Sequence, residues 1–258
     1  MAAFHDMKLG RLAPAAGAAA VPLMRSFARA PLPEPPSAVD YHTGVAWRMF
    51  CNDEIGCCTI SGWANGVLQR TSLALGTPLV MPDAVVEQIY SNLSGWSPAR
   101  PGSDQGLREI DVLNWFARTG IDLGRQAPEV TLWGALSVKD RVGFRQAIWL
   151  FGHCYIGLLL PLTAREQNVW DVVANAGEDQ RAPGSWGGHC VICAGYDEKY
   201  VYCVTWGAVQ PMSWEFLDCY MDEAYVTHSP GEWIGVSGVS PSHFDFEKLA
   251  KYCECLAG

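Results

Sequence analysis

The hydrophobic pattern changes period midway along the chain, and this restricts the fold more than any other feature. Apolar residues recur at helical spacing through Ile60, Trp63, Ala64, Val67 and Leu68, predicting a helix over 58–74. Pro82-Asp83 predicts a second helix running to Leu93, with proline near the first turn, where its missing N–H is harmless. After a loop over 94–106 rich in Gly, Pro and Ser, residues 107–118 predict a third helix, closed by Gly120. Beyond a short helix over 140–151 the pattern becomes one of compact apolar runs. Cys154 to Leu160 reads as a buried strand stopped by Pro161, and a polar loop covers 163–185. Strands over 189–196 and 200–206 flank the turn Asp197-Glu198-Lys199, followed by a helix near 213–220 and a strand near 224–227. Asp222-Glu223 reads as a solvated turn. Helices first and antiparallel strands second define an α+β class.

Residues 1–44 differ from the rest. Ala, Pro and Gly dominate them, and Pro31, Pro33, Pro35 and Pro36 favour extended backbone. Such an arm becomes ordered only against a surface, this protein's own or a partner's. The expected organisation is an arm over 1–44, a domain over 45–235 and a tail over 236–258. The domain's helical part runs to about 126 and its strand-rich part from about 127.

A length of 258 residues suffices for a full core, and 49% hydrophobic against 17% charged residues fits a globular chain. The net charge of -9 supplies no basic stripe for phosphates, so nucleic acid is not an expected partner. No apolar run reaches the ~18–20 residues of a membrane span, and the Ala-rich stretch over 15–24 is broken by Gly17 and Pro22, so secretion is not expected either. The ten cysteines admit a disulfide reading, but Cys154, Cys193 and Cys203 fall inside apolar runs, where a free thiol packs as a small hydrophobe. Reduced thiols in a cytosolic compartment are the expectation.

Two segments carry chemistry. Cys58 follows Gly56-Cys57 at the start of the first predicted helix, where the partial positive charge of a helix N-terminus favours a thiolate. His189 follows Gly187-Gly188 at the start of an apolar strand. A nucleophile and its base fit this pair. Asn52 either donates its amide to an oxyanion beside Cys58 or caps the turn before the helix. Along the strand Cys190 and Cys193 point to opposite faces, which speaks against a zinc half-site at His189-Cys190. His153, before its strand, reads as structural.

In this order the motifs resemble those of the papain-like cysteine peptidase superfamily. The step from Asn52 to Cys58 is similar to that family's Gln-to-Cys spacing, Gly187-Gly188-His189 to its glycine–histidine motif, and Thr205-Trp206-Gly207 to its Ser-Trp-Gly. A closer resemblance is to uncharacterised papain-like proteins of phages and prophages. It rests on Lys8-Leu9-Gly10, on Asn52-Asp53 with Gly56 and Cys58-Thr59, on the run from Pro183 to His189, and on Val204-Thr205-Trp206-Gly207-Ala208. The resemblance implies a two-lobed fold, with a helical lobe and an antiparallel β lobe. It implies Cys58 and His189 as the catalytic pair, Asn52 at the oxyanion, Gly187, Gly188 and Trp206 as cleft walls, and neither cofactor nor metal. The family's orienting Asn falls at Val204, which leaves Thr205 as the nearest hydroxyl. Position 57, often acidic in the phage relatives, is a second thiol.

Two functions follow as expectations. One is a phage-associated cysteine hydrolase cleaving amide bonds in protein or in the peptide part of peptidoglycan, in the host cytoplasm or the virion. The other is a structural virion protein of papain-like fold, docked to partners through residues 1–44. The second draws on Val204 and on the arm, which is short and does not read as an inhibitory propeptide.

Overall fold

A computed structural model of the chain describes residues 4, 7–14, 32–120, 132–234 and 238–243. The Ala-rich stretch over 15–24 and the cysteines at 253 and 255 lie outside them.

The chain enters through β1 (Val39–Asp40), which adds to the sheet, and then forms α1 (Cys58–Leu75), α2 (Asp83–Ser94) and α3 (Glu109–Thr119). Next come β2 (Leu132–Ala135), α4 (Arg141–Phe151), β3 (Cys154–Leu160) and the short α5 (Glu178–Arg181). β4 (Gly187–Tyr196), β5 (Tyr200–Thr205), β6 (Ala208–Ser213), α6 (Trp214–Tyr220), β7 (Met221–His228) and α7 (Pro230–Trp233) complete the order. The sheet is antiparallel in the order β2-β7-β3-β4-β5-β6, with β1 beside β4.

α1 is buried on every side from Cys58 to Thr71, the mark of a central helix. Several of its buried polar residues tie it to the rest of the fold: Asn65 binds the backbone of Arg48, Gln69 the carbonyl of Gly152, and Arg70 the carboxylate of Glu232. β4 serves two cores at once because its side chains alternate. Cys190, Ile192 and Ala194 face the helical side with Trp63, Tyr90 and Phe116, while Val191 and Cys193 face Phe151, Ile156 and Phe216 on the other. Each large side chain buried there contributes about 1.5–3 kcal/mol. The cleft between the lobes therefore opens along the end of β4, where His189 stands.

Three sequence expectations change. The polar loop over 163–185 carries a 3₁₀ turn (Leu162–Glu166) and α5. β6 is a strand despite Pro211, which is tolerated because β6 lies at the sheet edge and needs no second ladder. Asp222 and Glu223 are not a solvated turn. They lie in β7, with Glu223 buried, because the strand begins three residues earlier than the apolar run that announced it.

The described part of the N-terminal arm lies on its own domain. Val39 and Asp40 pair with Tyr196 and Gly195, Gln146 donates to the Pro33 carbonyl, and Tyr196 to the Pro36 carbonyl. Residues 8–12 lie in the cleft itself.

Candidate active site

The turn before α1 is unusual backbone. Phe50 and Cys51 both hold positive φ, at 50° and 62°, and Gly56 donates its N–H to both oxygens of Asp104 at 3.1 and 3.0 Å. Tyr90 holds the same carboxylate, so the loop that delivers Cys58 is fixed from the α2 side. Cys57 turns inward: its thiol reaches the Phe50 carbonyl at 3.3 Å and Ser61 at 3.2 Å, and it is fully buried. The second thiol is thus packed into the helical core.

Cys58 begins α1 and is buried, with the backbone N–H groups of Cys190 and Gly10 near its thiol. Cys190 follows His189 on β4, so the thiol faces the strand that carries the histidine. Burial pushes the thiol up to about 12, against the opposing pull of those two N–H groups and of Arg11.

His189 is held on two sides. Its Nε2 lies 2.7 Å from Thr205 Oγ1, and its ring stacks on Trp206 with centroids 4.4 Å apart at 17°. Its Nδ1 is buried without a hydrogen-bond partner. Burial, with the nearby Arg11 charge adding, pushes the imidazole down to about 3.

Strand geometry explains why Thr205, and not Val204, reaches His189. Val204 pairs with Ile192 and faces the helical core with it. The next residue faces the other way, toward His189. Trp206 is not the last residue of the strand, as the sequence suggested, but the first of a two-residue hairpin loop with Gly207. Both have positive φ (45° and 72°) and Thr205 pairs with Ala208. A tryptophan in that region costs on the order of 1–2 kcal/mol. The stack on His189 and contact with Phe4, centroids 4.8 Å apart, offset that cost.

The N-terminal segment crosses this site. Arg11 donates its N–H to the carbonyl of Gly188 at 3.1 Å, on the strand lobe. Leu107 donates to the Gly10 carbonyl at 2.8 Å and accepts from Leu12 at 2.9 Å, on the helical lobe. The Lys8 carbonyl receives the Trp206 indole N–H at 3.2 Å and the Asn52 amide at 3.5 Å. Asn52 also donates to Ile55 at 3.3 Å, so its amide serves the turn and the cleft together. Gly187 and Gly188 lie directly against the N-terminal segment. A Cβ on Gly188 would lie 2.3 Å from the Arg11 carbonyl, and one on Gly187 2.8 Å from the Leu9 side chain. A Cβ on Gly10 would lie 1.8 Å from the carbonyl oxygen of Gly56. Residues 8–12 cross the cleft without helical structure, joined to the helical lobe by the bridge between Arg11 and Leu107.

His153 faces Gln69 at 2.9 Å and Thr227 at 3.1 Å, away from this site, while the neighbouring Cys154 thiol reaches the Tyr225 carbonyl. Sequence reasoning missed the acidic group around Arg11 (Glu109, Asp222 and Glu223). Its members come from α3 and β7, and no local pattern joins them.

No family model matches the chain, and no curated protein matches it by sequence. Solved structures do. Xylellain, a cysteine protease from Xylella fastidiosa, is 13% identical over 87% of this chain and 97% of its own, with a TM-score of 0.58. Procathepsin B S9 from Trypanosoma congolense is 12% identical over 86% of each chain, TM-score 0.57. Digestive procathepsin L 3 of Tenebrio molitor larval midgut is 11% identical over 88% of this chain and 77% of its own, TM-score 0.53. At these identities the likeness is one of fold.

Proposed function

From the premise that the chain has the α+β papain-like fold, we propose that it is a cysteine hydrolase of peptide or amide bonds, held latent by residues 8–12 of its own arm. The observation that carries this reading is the state of His189. Thr205 occupies Nε2 and Trp206 fixes the ring plane, so the bare Nδ1 is the nitrogen left to take the Cys58 proton.

The thiol proton passes to Nδ1 as sulfur bonds to the substrate carbonyl carbon. The carbonyl oxygen becomes an oxyanion that accepts from the Asn52 amide. The C–N bond then breaks, the imidazolium returns its proton to the departing amine, and a thioester remains. Water attacks the thioester with His189 as base, releasing the carboxylic acid and restoring the thiol. Thr205 replaces the orienting Asn of the resemblance. A hydroxyl at 2.7 Å fixes the tautomer without a charge. The substrates are proteins or the peptide stems of peptidoglycan, and the setting is a phage-infected cell or the virion.

Incubating wild type, Gly10→Ala and Cys58→Ala with peptide libraries and with purified peptidoglycan tests this. Hydrolysis is expected from Gly10→Ala, little from wild type and none from Cys58→Ala. A folded Gly10→Ala protein that cleaves neither substrate overturns the catalytic reading.

A second reading has one observation in its favour, the sealing of both Cys58 and His189 beneath the arm. In it the fold is a structural virion component and the chemistry is dispensable. Particles carrying Cys58→Ala would then assemble and infect as wild type does.

A further inference from the structure

Among the described residues, Arg11 is the cation that enters a nest of three carboxylates built by the rest of the fold. Its Nε lies 2.8 Å from Glu223 Oε1 and 3.3 Å from Glu109 Oε1, and its Nη2 lies 2.7 Å from Asp222 Oδ1. Glu109 comes from α3, while Asp222 and Glu223 come from β7 on the other lobe. The floor is Gly157 of β3, at an irregularity in the ladder to β7; a Cβ there would sit 2.3 Å from Arg11 Nε. A glycine within a strand at such a point makes room for an approaching group. Glu109 is wholly buried; its carboxyl faces Arg11 and the Cys190 thiol, and neither oxygen receives an N–H or O–H hydrogen bond from the described frame. The second oxygen of Glu223 accepts from the Tyr225 hydroxyl at 2.7 Å.

These carboxylates are compensated by a residue that does not belong to the frame. Arg11 arrives on the segment that crosses the cleft, one residue from Gly10, whose N–H lies near the Cys58 thiol. Its backbone is bonded to Gly188, the neighbour of His189.

We propose that Glu109, Asp222 and Glu223 above Gly157 form the specificity subsite of this enzyme, selecting an arginine side chain adjacent to the reacting bond, and that Arg11 fills it in cis as a stand-in for substrate. The inference rests on Cys58 and His189 being the reacting site. Arginine is preferred to lysine because a planar guanidinium presents Nε and Nη donors to carboxylates on two sides, whereas an ammonium is a point charge.

The test separates binding from chemistry. In full-length protein, Cys58→Ala removes turnover and Gly10→Ala forces the arm away from Gly56, emptying the pocket with its residues intact. The probe is a fluorescein-labelled peptide of the arm's own sequence, Lys-Leu-Gly-Arg-Leu, followed by anisotropy against versions carrying citrulline or lysine in place of arginine. The double variant should bind the arginine peptide at least ~30-fold more tightly than the citrulline peptide and about 10-fold more tightly than the lysine peptide. The single variant Cys58→Ala, with its arm in place, should bind all three weakly. Equal affinity for arginine and citrulline, or no binding by a double variant that melts as a folded protein, overturns the proposal. If the double variant does not fold, Arg11→Ala in the Cys58→Ala background replaces it. The arginine peptide should then raise its Tm and the citrulline peptide should not, and equal shifts overturn the proposal. Arginine-selective binding without hydrolysis by the Gly10→Ala enzyme would remove the chemistry and keep the pocket. Hydrolysis indifferent to arginine would do the reverse.

Discussion

Gly10→Ala should unmask Cys58. In the closed chain the Cys58 thiol is pushed up to about 12 by burial from an ordinary value of 9.0. At pH 7.5 that difference of about three units lowers the thiolate fraction about 10³-fold relative to a free thiol. A methyl group on Gly10 has no space, since its carbon would lie 1.8 Å from the backbone oxygen of Gly56. Backbone cannot yield as a flexible side chain can, so the segment must lift. Lifting it admits water to the sulfur and takes away the Gly10 N–H and the Arg11 charge, which favour the thiolate; burial is the largest of these effects, so the net change is toward reactivity. Iodoacetamide labelling at pH 7.5, mapped by mass spectrometry, should therefore accelerate at Cys58 by about 10² or more in Gly10→Ala. The chain carries its own controls. Cys219 is exposed and should label quickly in both proteins, while Cys154 and Cys203 are fully buried and should label slowly in both. If Cys58 of the wild type reacts as fast as Cys219, the arm does not shield it. If Gly10→Ala leaves Cys58 as slow as Cys154, then the arm is not what suppresses the thiol, and the reasoning fails.

Other outcomes follow from the same geometry. Thr205→Val removes the hydroxyl that holds His189 Nε2 and should cost about 1–3 kcal/mol of stability, with a loss of hydrolysis that Thr205→Ser restores; guanidinium melts and rate assays on the arm-released Gly10→Ala protein check both. Trp206→Ala should cost about 3–5 kcal/mol and expose residues 8–12 to trypsin, because the indole both stacks on His189 and binds the Lys8 carbonyl; an unchanged digestion pattern would contradict this. Acid should destabilise the fold. His189 and His228 are buried, with burial and a neighbouring arginine (Arg11 and Arg70) pushing each down to about 3. The unfolded chain binds these protons first, so the stability the neutral rings contribute is complete above about pH 6.5 and is lost as pH falls from there toward 3. At pH 5 each contributes a loss of about 2 kcal/mol. The Glu109 carboxyl, raised by burial and by Glu223, opposes this by at most one proton. Denaturation midpoints at pH 7.5 and pH 5 in wild type and His228→Gln decide, and a variant with undiminished pH dependence would refute the assignment.

Much of this fold was legible because its signals are local. The 3.6-residue period placed α1, α2 and α3 within a residue or two of their positions, since one buried face is enough to write that pattern. The run at Cys154 gave β3 in full, as buried strands do. β6 was hidden by Pro211, which argues against a strand unless the strand is at an edge, and edges are a property of the assembled sheet. Trp206 looked like the end of β5 because an aromatic after a strand usually continues it. Its left-handed backbone is imposed by the hairpin and by the ring it must cover.

The sequence by itself determined that a thiol would start the first helix and that a histidine would start a central strand, because helix starts and glycine–strand junctions are written within a few neighbouring residues. Tertiary structure alone decided what surrounds them. Arg11 meets Glu223 across 212 residues, Thr205 rather than Val204 holds His189, and Lys8-Leu9-Gly10 lies between the lobes. Those contacts join segments with no local preference for one another. They exist because the antiparallel order brings β4, β5 and β7 to one end of a cleft, where a buried carboxylate must find a cation and the arm supplies one.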